Sequence, residues 1–223
     1  MTQPLHTIEI QTQPQVQYSI IWMHGLGASA DDFLPLVPEL KLSVAARFVF
    51  PNAPIRPITI NNGYAMRGWY DILSLDRLDQ KQDEVGLLES KVAIEALIKK
   101  ENARGIPCER IFLAGFSQGC AMALLTGLRY PEKLAGIIAL SGYLPLLQQM
   151  PEKATEANKN TPIFWAHGDF DPIVPLAIAQ MSRELLNSMD YPIEWHQYPM
   201  EHQVCMEEVQ AISTFIHKHT TLA

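Results

Sequence analysis

Residues 110–129 read Arg110-Ile-Phe-Leu-Ala-Gly115-Phe-Ser117-Gln-Gly119-Cys-Ala-Met-Ala-Leu-Leu-Thr-Gly-Leu-Arg129, an apolar run that breaks at a glycine-bracketed serine and resumes as a helix-like stretch. Ile111, Phe112 and Leu113 favour β-structure, whereas Ala121, Met122, Ala123, Leu124 and Leu125 favour helix up to a stop at Tyr130-Pro131. Gly115 and Gly119 leave room for a tight strand-to-helix turn, which presents the Ser117 hydroxyl at the top of a sheet as a nucleophile elbow. Ser117 then stands at a helix N-terminus, where free N–H groups favour developing negative charge. Five residues alone are a weak signal; strand, turn and helix in that order give it weight.

The same alternation runs through the rest of the chain. Strand-like runs recur at 7–10, 17–23, 47–50, 110–114, 134–140, 162–166 and 193–198, and most of those between Ser19 and Ala166 are continuously apolar. Strands of a parallel sheet covered by helices on both faces have this composition. Val85, Leu88, Val92 and Ala96, and later Cys205, Val209, Ile212 and Ile216, step by three or four residues as an apolar helix face does. The expectation is an α/β fold with a mostly parallel central sheet and helices on both faces, formed by a single domain over residues 1–223. Residues 51–80, rich in Pro, Gly and Asn, read as a long loop with short strands or turns that carries substrate contacts. Residues 148–160 read as a solvated polar connection.

Over 223 residues the net charge is −7, with no Lys/Arg-dense run. That balance argues against nucleic acid and against electrostatic docking to an anionic membrane, and favours a small neutral or apolar substrate. Cys108, Cys120 and Cys205 have no CxxC spacing, so reduced thiols are expected rather than a disulfide framework or a zinc site. Met1 to Gln17 lacks the basic start and apolar core of a signal peptide, and no apolar run is long enough to span a bilayer. A cytoplasmic protein without integral membrane association is the expectation.

A serine hydroxyl is a poor nucleophile at neutral pH, so the elbow requires a histidine to take its proton and a carboxylate to orient that histidine. Downstream of Ser117 stand His167, His196, His202, His217 and His219. His167 precedes the acidic pair Asp169 and Asp171, the wrong order for a base that follows its acid. His196 shares a strand face with Glu194 and Tyr198, and His217 and His219 lie near the end of the last helix, where positive charge is favourable. His202 lies in the break Pro199-Met200-Glu201-His202 between the last strand and the last helix, where loops at a parallel sheet's carboxyl edge gather around a site. It is the candidate base. For the acid, Pro172 disfavours helical geometry at Asp171 and suits a loop residue, whereas Asp169 suits a turn bonded to its own backbone; spacing leaves the two nearly even. A metal cluster of His167, Asp169 and Asp171 is the weaker reading, since no second ligand group of fitting spacing accompanies it.

Acyl transfer also needs donors for the oxyanion. The run Ser19 to Met23 ends in His24-Gly25-Leu26-Gly27, a turn able to aim a backbone N–H where the N–H after the nucleophile points, so Leu26 and Gln118 are the candidates. The alternative is a plain connection in which Ser29 caps a helix from Asp31. Leu26, Met66, Trp69, Leu73, Leu75, Phe170 and Ile173 fall near these segments and are candidates for an apolar acyl pocket, with Trp69 and Leu73 expected to bind a medium-length or long chain.

His24-Gly25-Leu26-Gly27, Pro51-Asn52-Ala53-Pro54, Met66-Arg67-Gly68-Trp69-Tyr70-Asp71-Ile72, Gly115-Phe116-Ser117-Gln118-Gly119, His167-Gly168-Asp169-Phe170-Asp171-Pro172-Ile173-Val174-Pro175 and His202 together resemble the acyl-protein thioesterase, lysophospholipase and carboxylesterase family of α/β-hydrolases. The resemblance runs in order from residue 20 to the C-terminus. It implies the α/β-hydrolase fold and a catalytic triad of Ser117, Asp171 and His202, choosing Asp171 over Asp169. It further implies hydrolysis of carboxylic esters, lipids or acyl-thioesters through an acyl-serine, without cofactor or metal. Several members of that family associate as dimers, so a homodimer is among the states implied. The chain departs from the family pattern at Cys120, where a further glycine is frequent, at Gly68, where alanine is common, and at Glu201 and Gln203, which flank the base in place of smaller residues. Two other readings compete: a small-ester carboxylesterase with no lipid or protein substrate, and a noncatalytic α/β-hydrolase-like binding module, which an intact serine, acid and base disfavour.

Overall fold

The computed structural model describes residues 4–74 and 81–220; Leu75 lies outside them. Nine strands follow along the described chain: β1 Thr7–Gln11, β2 Tyr18–Met23, β3 Ala46–Pro51, β4 Ile55–Ile58, β5 Tyr64–Arg67, β6 Ile111–Phe116, β7 Gly136–Leu140, β8 Ile163–Gly168 and β9 Ile193–Tyr198. The helices are α1 Leu36–Glu39, α2 Glu84–Ala103, α3 Gln118–Arg129, α4 Met150–Lys153, α5 Leu176–Ser188 and α6 Met206–Thr220. Seven strands form one sheet in the order β1-β3-β2-β6-β7-β8-β9, with β4 and β5 as a separate hairpin. Only β1 runs antiparallel in the large sheet.

Every residue of β2, β7 and β8 is buried, which is why these strands are continuously apolar rather than alternating. Successive side chains still point to opposite faces. Ile21, Leu113, Ile137, Ile163 and Trp165 join one core layer with α2, α3 and α5, whereas Ile20, Trp22, Phe112, Ile138 and Phe164 join the other with α1 and α6. Each such fully buried side chain stabilises the fold by ~1.5–3 kcal/mol.

Two expectations need correction. In α2 the row Val85, Leu88 and Val92 is 69%, 37% and 52% exposed, and the buried face carries Leu87, Ser90, Ile94, Leu97, Ile98 and Glu101 instead. Both rows have helical spacing, so periodicity cannot choose between them. The longer Leu and Ile side chains turn inward, and Glu101 on the same face holds Arg47 of β3 at 2.8 Å. Residues 148–160 are also not simply solvated. Asn158 is fully buried, donates to the carbonyls of Tyr130 (2.8 Å) and Glu132 (2.9 Å), and accepts from Leu134 N–H (2.9 Å) and Thr161 Oγ1 (2.8 Å). One amide thereby satisfies the backbone of the turn that leads into β7. The 51–80 stretch does hold short strands, the β4–β5 hairpin, and in place of the helix from Asp31 that the alternative reading of the glycine turn required, a single helical turn starts at Leu36.

Because β2, β6, β8 and β9 are parallel, their carboxyl ends lie on one edge of the sheet, and the loops that follow carry Leu26, Ser117, Asp171 and His202 to that edge. No helix among the described residues is long and apolar enough to cross a membrane.

Candidate active site

Ser117 has φ 57° and ψ −117°, a left-handed conformation outside any helix or strand, between β6 and α3. Such a serine stores about 1–3 kcal/mol of strain, which the surroundings must hold. They do so through backbone: Ser117 N–H donates to Leu140 O at 2.9 Å, and Ser117 O accepts from Ala121 N–H at 3.2 Å. The flanking glycines serve close approach. A Cβ on Gly115 would collide with the Gly119 carbonyl, and one on Gly119 with the Met23 carbonyl at the end of β2.

His202 Nδ1 lies 2.7 Å from Asp171 Oδ2, with both side chains largely withdrawn from water. Asp171 Oδ1 accepts from the N–H groups of Ile173 and Val174, each at 2.9 Å. Burial pushes this carboxyl upward, but the His202 contact and the two turn N–H groups together outweigh it and hold Asp171 below the ordinary 3.8. Asp169, the competing acid, is exposed and accepts from Gln197 Nε2 at 2.8 Å. The Phe116 ring, next to Ser117 in the chain, stands 4.7 Å from the His202 ring, centroid to centroid.

A second histidine serves the acid turn, and sequence reasoning passed over it. His167 is fully buried, and its Nε2 lies 2.8 Å from the Val174 carbonyl and 3.5 Å from Asp171 Oδ2. A carbonyl only accepts, so Nε2 carries the hydrogen. Burial lowers the His167 pKa, and the neutral ring pins the 171–174 turn. Its place at the carboxyl end of β8 was the available signal.

On the opposite side, His24 shapes the glycine turn. Its Nδ1–H donates to Gly25 O at 2.6 Å and its Nε2 accepts from Ala53 N–H at 3.1 Å, which defines the neutral tautomer that burial also favours. Trp69 Nε1–H donates to the His24 carbonyl at 2.9 Å, and Gly27 N–H to Arg67 O at 2.8 Å. Leu26 N–H and Gln118 N–H have no hydrogen-bond acceptor among the described residues, and both residues line the same cavity as Ser117.

Residues 5–220 match the sequence model of the Phospholipase/Carboxylesterase family. The chain belongs to that family. It is 43% identical over 208 residues to the acyl-protein thioesterase 1 of Neurospora crassa, covering 89% of this chain and 85% of that one. It is 40% identical over 216 residues to the acyl-protein thioesterase 1 of Mycosarcoma maydis, covering 90% of each. Among solved structures, Arabidopsis thaliana SOBER1 superposes with a TM-score of 0.87 at 33% identity, over 92% of this chain and 99% of that one.

In this member of the Phospholipase/Carboxylesterase family the cavity beside Ser117 measures ≈ 230 Å³ and is lined by Leu26, Ile60, Asn61, Tyr70, Ile72, Gln118, Tyr143, Ile173 and Val174. Of the expected acyl contacts, Ile173 is among them. Trp69 is not: it is fully buried because its indole N–H holds the His24 carbonyl and its backbone N–H holds Gln118 Oε1 at 2.9 Å. Leu73 lines a separate small cleft, Phe170 is 66% exposed on the surface, and half-buried Met66 sits beside the Gly27 turn. Ile60, Asn61, Tyr70 and Ile72 lie in the 51–80 stretch expected to carry substrate contacts but were not singled out there, nor was Tyr143; the folding of the hairpin and of the loop after β7 brings them to Ser117.

Two departures from the family pattern have physical explanations. Cys120 is fully buried against Gly142, where a Cβ would come within 2.5 Å of the cysteine Cβ, so glycine there makes room for the thiol. Burial raises the Cys120 pKa strongly, which leaves it unreactive. At Gly68 a Cβ would come within 3.0 Å of Ile58 Cδ1 and 3.1 Å of Leu26 Cδ1, so its lack of a side chain lets both close in beside the Gly25–Gly27 turn.

Proposed function

We propose that the chain is a serine hydrolase cleaving acyl esters and thioesters through an acyl-serine, with Ser117 as nucleophile, His202 as base, Asp171 as orienting acid, and the N–H groups of Leu26 and Gln118 as the oxyanion hole. The observation that carries this is the 2.7 Å contact of His202 Nδ1 with an ionised, buried Asp171 on the sheet edge that presents the strained Ser117. With Nδ1 protonated and donating to Asp171, the lone pair is on Nε2, where it can take the Ser117 proton. Ser117 attacks the acyl carbonyl, and the two free N–H groups receive the oxyanion. The imidazolium then protonates the departing alcohol or thiol. Water, deprotonated by the same Nε2, attacks the acyl-serine; collapse returns the proton to Ser117 and releases the acid.

Relatives named acyl-protein thioesterases support acyl-thioesters as substrates beside simple esters and lysophospholipids. The ≈ 230 Å³ cavity lies below the ~300–1,000 Å³ usual for ligand sites, which favours short to medium acyl groups and gives weight to the small-ester reading. Residues 1–223 act in this reading as one α/β-hydrolase unit in the cytoplasm, free or as a homodimer.

The decisive experiment uses purified, folded Ser117→Ala and His202→Ala variants. Turnover of a butyryl ester and a butyryl thioester falls on the order of 10⁴-fold or more, and a fluorophosphonate probe labels the wild type but not Ser117→Ala. Retained turnover, or a wild type that the probe leaves unlabelled, would sink the assignment and favour a binding module.

A further inference from the structure

Tyr70 and Tyr143 are 73 positions apart in the chain, yet their hydroxyls meet at 3.0 Å in the interior, where the two residues are 2% and 4% exposed. Both line the cavity that contains Ser117. Both also line a cleft of ≈ 10 Å³ on the Leu73 side, and Tyr143 lines a further cleft of ≈ 10 Å³ among Leu144, Leu147, Ile178 and Met181. A side chain that borders two cavities is the wall between them, so the tied rings separate the reaction cavity from the Leu73 cleft, which Asp71 and Gln82 also line, and Tyr143 alone separates it from the apolar cleft of Leu144 and Met181.

The wall is fixed to the catalytic frame from both ends. Gln118 Nε2, beside the nucleophile, donates to the Tyr70 carbonyl at 2.8 Å. Gly142, the neighbour of Tyr143, packs so close to Cys120 and to the Ser117 carbonyl that a Cβ there would lie 2.5 Å and 2.8 Å away. Burial raises the pKa of both phenols, Tyr143 to about 12, so the pair stays neutral and the hydrogen bond persists across the working pH range.

We propose that the Tyr70–Tyr143 pair is the acyl-length stop of this enzyme: it closes the cavity at short to medium acyl groups, and the Leu144–Met181 cleft is the space a longer chain enters once the Tyr143 ring is removed. The inference rests on Ser117 being the nucleophile of an ester or thioester hydrolase. An acyl methylene that meets a fixed ring has to displace it, and discrimination of ~10–200-fold per methylene is what such a wall supplies.

The test is kcat/KM on acetyl, butyryl, octanoyl, dodecanoyl and hexadecanoyl thioesters for the wild type and Tyr143→Ala. The wild type declines beyond octanoyl, and Tyr143→Ala raises the dodecanoyl-to-butyryl ratio about tenfold or more. A wild type that favours hexadecanoyl, or an unchanged ratio in the folded variant, overturns the stop. If circular dichroism shows Tyr143→Ala unfolded, the Tyr70→Phe/Tyr143→Phe double variant replaces it. That variant keeps both rings and removes their tie, so its ratio shifts the same way, and an unchanged ratio again overturns the stop. Failure of the underlying chemistry reads differently. Hydrolysis that survives Ser117→Ala, or none by the wild type, removes both proposals, whereas hydrolysis that depends on Ser117 but ignores Tyr143 removes the stop alone.

Discussion

Asp171 divides its two carboxylate oxygens between two tasks: Oδ2 holds His202 Nδ1 at 2.7 Å, and Oδ1 holds the turn through Ile173 and Val174 N–H at 2.9 Å each. Asp171→Asn keeps the second task, because an amide oxygen also accepts from the turn. It then presents an NH₂ to His202, which drives the imidazole proton onto Nε2, the wrong tautomer. The expected result is a kcat lowered on the order of 10⁴-fold with a melting temperature only modestly below the wild type's, because the turn bonds remain while the stability supplied by the ionised carboxylate is lost, read by steady-state kinetics and a thermal melt. The wild-type carboxyl, held below its ordinary 3.8 in the fold, adds stability that is present above pH 3.8 and lost as the pH falls through the lower folded value.

Glu208 gives the opposite sign. It is fully buried in the first turn of α6, and burial pushes its carboxyl from 4.5 up to about 8. The folded state therefore keeps a proton that the unfolded chain releases. Stability is fullest below pH 4.5, falls as the pH rises toward about 8, and is level beyond. Glu208→Gln is shape-preserving and cannot ionise, so it gains on the wild type progressively across that window. Urea denaturation at both ends checks this; an equal gain below pH 4.5 would rule out ionisation as the cause.

Trp69 supports the His24–Gly27 turn through its hydrogen bond to the His24 carbonyl. Trp69→Phe keeps the ring but removes that donor, at a cost of ~1–3 kcal/mol, and loosens the peptide that carries Leu26 N–H. The melting temperature and kcat drop together, by the same factor for every acyl length. A loss confined to long acyl chains would return Trp69 to the substrate pocket.

Gly119→Ala tests the approach of α3 to β2. Its Cβ would press on the Met23 and His24 carbonyls, neither of which is a flexible side-chain tip, so strand and helix have to separate. The expected loss is about 3 kcal/mol in a urea titration, with impaired turnover in whatever remains folded, because Gln118 N–H moves with the helix.

Much of the architecture was legible beforehand because it depends on local pattern. Continuous apolar runs marked β2, β7 and β8, which are buried on both sides, and order along the chain brought Asp171 and His202 into consideration with Ser117. The α2 face was misjudged for a physical reason: two rows of that helix have the same spacing, and only the partner surface decides which is covered. The lining of the Ser117 cavity was legible only in part for a related reason. An apolar residue near a motif in sequence can serve the cavity, as Ile173 does, or brace it from behind, as Trp69 does, and composition does not separate the two.

By itself, then, the sequence determined the seven strands of the large sheet, the helices α2, α3 and α6, and the elbow at Ser117, since these follow from side-chain periodicity and backbone sterics over a few residues. Tertiary structure alone decided that His167 braces the 171–174 turn, that Asn158 anchors the backbone leading into β7, and that Tyr70 meets Tyr143 beside Ser117. Each depends on burial and hydrogen-bond partners supplied by the surrounding fold, and a buried polar group takes whichever partner the packed chain brings within reach.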